Sequence, residues 1–109
     1  MSAPCKILWT DAAVADLTQL ADFIAARDSI ERAHEVCDRL EDAARSLTSS
    51  PNRGRVVPEL QEQGIVLYLE LLVRPWRIVY RASDRSVYIL AIIDSRRDAV
   101  DLLWERLTR

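Results

Sequence analysis

The hydrophobic repeat changes period once, at Gly54, and that single change constrains the fold more than any other feature. Up to Leu47 apolar residues recur at three- and four-residue spacing, the signature of amphipathic helices. After Gly54 the spacing shortens toward two and β-branched and aromatic residues take over, as in strands. A chain built this way buries both halves only by laying helices against a sheet.

The first half resolves into three elements. Residues 5–9 (Cys-Lys-Ile-Leu-Trp) form a short apolar strand that stops at Thr10-Asp11, a helix-start signal. Val14, Leu17, Leu20, Ala21 and Ile24 then mark a helix over about residues 11–26, with Asp16 and Asp22 on its other faces. Asp28-Ser29-Ile30-Glu31 has the form of a capping box and opens a second helix. The stripe of that helix is Ile30, Ala33, Val36, Cys37, Leu40, Ala44 and Leu47, and the turn residues 49–54 break it. A link as short as Arg27-Asp28 makes the two helices an antiparallel hairpin.

The second half predicts a strand at Arg55-Val56-Val57 ended by Pro58, then longer strands at Ile65–Val73, Trp76–Arg81 and Val87–Ile93. Arg74-Pro75 and Ser83-Asp84-Arg85 are hairpin-length turns, so the last three strands form an antiparallel meander. Val87–Ile93 is apolar on both faces apart from Tyr88, which places it centrally. Val100, Leu103, Trp104 and Leu107 mark a closing helix. The expected architecture is α+β, with the helices covering one face of the sheet, and the 109 residues form a single domain spanning 1–109.

Charge narrows the function. The net charge of −2 argues against a protein that coats nucleic acid. The average hides an asymmetry: residues 1–52 carry 5 basic and 9 acidic side chains (−4), and residues 53–109 carry 10 and 8 (+2). Only Lys6 is a lysine, so anion contacts fall to arginine. Cys5 and Cys37 have neither zinc-ligand spacing nor disulfide density, which predicts a reducing cytoplasm. No apolar run is long enough to span a membrane, and no membrane partner is expected. No Ser-His-Asp set, phosphate loop or metal-ligand spacing can be assembled, so no cofactor, metal or catalytic residue is assigned.

Three segments resemble the RelE/ParE toxins of bacterial type II toxin–antitoxin systems, and the ParE-like branch more closely. They are residues 54–60 (GRVVPEL), residues 69–81 (LELLVRPWRIVYR) and residues 87–97, which end in Asp94-Ser95-Arg96-Arg97. The second is similar to the strand pair "ELxVxPYRIxYR" of that family, with Trp76 for the usual tyrosine. Many members read His-Gly-Arg-Arg where this chain has Asp94-Ser95-Arg96-Arg97, so a histidine is missing here.

The resemblance implies a toxin associated with plasmid stabilisation, which inhibits DNA gyrase, arrests growth and is neutralised by a ParD-like or RelB-like antitoxin that would lay a helix and an extended tail on it. Such a toxin is a binding protein rather than an enzyme. Two alternatives stay open: a RelE-type endoribonuclease cutting mRNA on the ribosome, and a non-toxic relic of the fold that keeps only the antitoxin contact. The RNases of this family carry lysines where Tyr68 and Glu70 stand and a tyrosine near Leu102. A face bearing only arginine can hold phosphate but lacks a general base.

Arg77 and Arg81 stand four apart in one strand and share a face, with Trp76, Ile78 and Tyr80 on the other beneath the helices. Arg96 and Arg97 follow at the end of the next strand, where pairing could bring one of them beside that pair. These four arginines are the expected target contacts. The competing reading leaves them solvated, or paired with Glu70 and Asp94. As exposed charges, Arg77 and Arg81 are expected to be replaceable together by alanine with folding left nearly intact and toxicity abolished. His34, the single histidine, sits at the edge of the second helix's stripe and is given no role.

Overall fold

The computed structural model describes residues 4–96 and 99–107. In chain order it contains β1 (Lys6–Trp9), α1 (Asp11–Arg27), α2 (Ile30–Arg45), a 3-10 turn at Ser46–Thr48, β2 (Arg55–Val56), α3 (Pro58–Gln61), β3 (Leu69–Val73), β4 (Trp76–Ser83), β5 (Ser86–Asp94) and α4 (Ala99–Leu107). The five strands form one sheet in the order β1-β5-β4-β3-β2, with β1 parallel to β5 and the other neighbours antiparallel.

The helix starts follow local chemistry. The Thr10 hydroxyl accepts from Ala13 N–H and caps α1. Ser29, rather than Asp28, caps α2 by accepting from Arg32 N–H. The hairpin α1/α2 covers the first face of the sheet, where Val36, Leu40, Ala44 and Leu47 meet Leu71, Ile78, Tyr80, Val87 and Ile89. Of the expected stripes, Val14 is half exposed and Ile30 is 66% exposed, so neither is a core residue.

The expectation that helices cover only one face does not hold. Proline at the first helical position of α3 starts a turn that brings Leu60 onto the second face. There Val57, Leu60, Ala99 and Leu103 pack with Val79, Ala91 and Ile93 in a smaller core. The same turn shortens the strand expected from Ile65. Its N–H closes α3 on Leu60 O, so the ladder begins only at Leu69. Trp104, expected in the stripe of the closing helix, is 51% exposed.

One irregularity interrupts the ladder between β4 and β5. On β5 the register skips Leu90: Tyr80 pairs with Ile89 and Val79 with Ala91. Ahead of this bulge Val87 and Ile89 face the hairpin, and beyond it Ile92 does. The bulge frees Ile92 N–H and Leu90 C=O from the ladder, and side chains take up both.

Candidate functional site

The second face divides into a covered half and an open half. In the covered half Arg77 is 4% exposed and Glu70 1%. The Arg77 guanidinium donates to both carboxylate oxygens of Glu59, from Nη1 at 2.9 Å and from Nη2 at 2.6 Å. Its Nη1 also donates to Glu70 Oε1 at 3.0 Å. The other Glu70 oxygen accepts from Arg55 Nε at 2.8 Å. Two guanidiniums and two carboxylates therefore cancel, which is how a charge can sit where water cannot reach it. Glu59 also accepts from Ala99 N–H at 2.9 Å and so ties the start of α4 into the same network. The hydrogen bonds from Arg77 hold the Glu59 carboxyl down at about 2 against the opposing effect of burial. Glu59 in turn pushes Arg77 up, securing its charge.

The Gly54 backbone passes close to β3 and to the Tyr80 side chain. A Cβ there would lie 2.6 Å from Glu70 O and 2.7 Å from the Tyr80 hydroxyl, to which Gly54 N–H donates. Burial raises the Tyr80 phenol, so it stays neutral.

The open half lies beyond the reach of α3 and α4. Register places Leu8, Tyr88 and Arg81 in one row across β1, β5 and β4, and Lys6, Ser86 and Ser83 in the next. Arg81 is exposed and lines a groove of about 290 Å3 with Thr10, Tyr68, Ser83, Tyr88 and Leu90. Among the described residues no carboxylate lines this groove. Arg81 and Lys6 make no ion pair among the described residues.

A clasp joins the two layers beside the bulge. Arg106 of α4 grips Asp16 of α1 with two bonds of 2.7 and 2.6 Å and donates to Leu90 O at 2.9 Å. Asp16 also accepts from Ile92 N–H at 2.9 Å. The carboxylate raises the Arg106 pKa further.

The four expected arginines thus part company. Arg77 shares a strand face with Arg81 but is buried and neutralised, so the two do not form an exposed pair. The expectation that both could be removed without harm to folding is corrected for Arg77 by its buried partners. Arg96 is 86% exposed in its side chain and bonds its own neighbour Asp94, which raises its pKa. Its turn is fixed to the Trp76 end of β4, since Ser95 N–H donates to Pro75 O, and Arg81 lies toward the other end. Arg97 falls outside the described residues. His34 is exposed on α2, in the layer that covers the opposite face. Glu59, Arg55, Asp16 and Arg106 were not expected in the network or the clasp. Only the Pro58-Glu59 step and the position of Asp16 one turn inside α1 hinted at them.

Residues 7–99 match the family described as "ParE toxin of type II toxin-antitoxin system, parDE". The chain belongs to this family. It is 33% identical over 92 residues to Toxin RelE2 of Caulobacter vibrioides, covering 84% of this chain and 97% of that one. Among solved structures it is similar to the chromosomal ParDE toxin–antitoxin system of P. aeruginosa, with a TM-score of 0.70, 23% identity and coverage of 85% and 98%. It is also similar to the toxin–antitoxin complex RelBE2 of Mycobacterium tuberculosis, with a TM-score of 0.59, 22% identity and coverage of 86% and 94%. The protein is therefore a type II toxin of the RelE/ParE superfamily with the fold of that group. Among the described residues no helix is long and apolar enough to cross a membrane, and no three His, Cys, Asp or Glu side chains group as metal ligands.

Proposed function

We propose that this ParE-family toxin acts by binding DNA gyrase and stabilising its cleaved DNA complex, and not by cutting RNA. The observation that carries this reading is the neutral Arg77–Glu59–Glu70–Arg55 network. RNA cleavage needs a general base and a free cation beside the scissile phosphate. Here the buried arginine is bonded to two carboxylates, and among the described residues the groove next to it offers Arg81, hydroxyls and tyrosines as its polar groups. A guanidinium neutralises phosphate charge but does not accept a proton at neutral pH. Arg81 and Arg96 are the surface arginines for the target contact, with Arg97 as a further candidate. Relatives that occur as ParDE and RelBE2 complexes support a cognate antitoxin of ParD-like or RelB-like type as the neutralising partner.

The likeness to Toxin RelE2 keeps ribosome-dependent mRNA cleavage as the second reading. Expression without an antitoxin separates the two. The gyrase reading predicts filamentous cells and a DNA-damage response. Rapid arrest of translation with cut mRNA would overturn it in favour of the second.

A further inference from the structure

We propose that the open half of the second sheet face is a platform for single-stranded DNA, with Tyr88 stacking on a base and Arg81 and Lys6 meeting phosphates. The choice of DNA rests on the gyrase reading, and the chemistry rests on the surface itself.

Three observations converge. Leu8, Tyr88 and Arg81 form one row across three adjacent strands, and Lys6, Ser86 and Ser83 form the next. A cation therefore stands in each row, with the rows two residues apart along the strands, about 7 Å. The surface is one-sided in charge: no carboxylate lines the groove, and neither Arg81 nor Lys6 has an acidic partner among the described residues. The overall charge of −2 does not oppose this, because field and contact depend on the local surface. Finally, Tyr88 is 38% exposed on β5, an interior strand paired on both sides, and is flanked by Leu8 at 41%. An exposed aromatic beside unpaired cations is how sequence-tolerant single-strand binders are built, since every base has a face to stack.

The groove discriminates little between bases. The Thr10 hydroxyl is already committed to Ile89 O and Ala13 N–H, so it has little left for reading base edges. A rigid duplex keeps its bases stacked on one another and cannot offer their faces to Tyr88.

The test is fluorescence anisotropy with a labelled 12-nucleotide oligo-dT at low salt, beside a duplex of equal length, an oligo-U and an acidic peptide, with a gyrase supercoiling assay run in parallel. A single-strand platform should bind oligo-dT at least as well as oligo-U and in preference to the duplex and the peptide. Tyr88→Leu should weaken it about ten-fold, and Arg81→Gln should lower the slope of log K against log salt by about 0.7. Circular dichroism identical to wild type shows that both variants fold. Absent binding, binding unchanged in the variants, or preference for oligo-U, duplex or peptide would overturn it. Gyrase inhibition without oligo-dT binding defeats the platform and leaves the gyrase reading standing. Binding without inhibition defeats that reading alone.

Discussion

Arg77 and Arg81 are the same residue type on the same face of the same strand, and they live in opposite conditions. Arg77 lies under α3 and the start of α4, bonded to Glu59 and Glu70, with almost no contact with water. Arg81 lies just past that cover, exposed and without an ion pair among the described residues. Alternation along a strand decides which way a side chain points, but the length of the covering layer decides what it meets. A short layer made of one turn at Pro58–Gln61 and a nine-residue helix covers half a sheet face and divides it into a covered half and an open half.

That division can be broken by mutation, and the largest effect belongs to Arg77. Arg77→Ala leaves Glu70 buried with only Arg55 to pair with and should cost about 3–5 kcal/mol, read from urea unfolding. A cost near that of an exposed residue would refute the division. Asp16→Ala strips Ile92 N–H of its acceptor and leaves Arg106 with only Leu90 O, and should cost about 2 kcal/mol, with faster hydrogen exchange in α4. Asp16→Asn, which keeps an acceptor, should recover part of it. Gly54→Ala forces a Cβ against Glu70 O and the Tyr80 hydroxyl and should cost about 1–2 kcal/mol, measured the same way.

The pH dependence sharpens the comparison from the covered side. The folded protein holds the Glu59 carboxyl at about 2, below its ordinary 4.5. Its contribution is therefore fully present above pH 4.5 and is lost as pH falls toward 2. The urea midpoints of wild type and Glu59→Gln should be well separated at neutral pH and converge through that window, whereas a constant separation would contradict the assignment. The smallest effect falls on the open half. Arg81→Ala and Arg96→Ala should each change stability by about 0.5 kcal/mol or less.

Much of this fold was legible because its elements obey local rules. The period change at Gly54, the helix starts read at Thr10 and, one residue early, at Asp28, and the hairpin turns located the helices and the meander within a few residues. The second layer escaped, because α3 is one turn long and gives no periodic signal, and Ile65-Val66-Leu67 imitates a strand while its first N–H closes that turn. The parallel partner of β1 is a long-range choice that no local pattern encodes.

The site was half legible for a related reason. Alternation put Arg77 and Arg81 on one face, and pairing with Glu70 and Asp94 was foreseeable from their nearness in sequence. The part played by Glu59 depends on α3 folding back over the sheet. Asp16 looked like a solvated face of α1 because the bulge at Leu90, which exposes the backbone groups it binds, has no mark in the sequence.

The central claim is that Arg81 acts on the target while Arg77 holds the fold, and growth arrest on antitoxin-free expression of Arg81→Gln tests it most directly. With circular dichroism and urea midpoint unchanged from wild type, the variant should have lost its toxicity. Full toxicity in that folded variant would contradict the account.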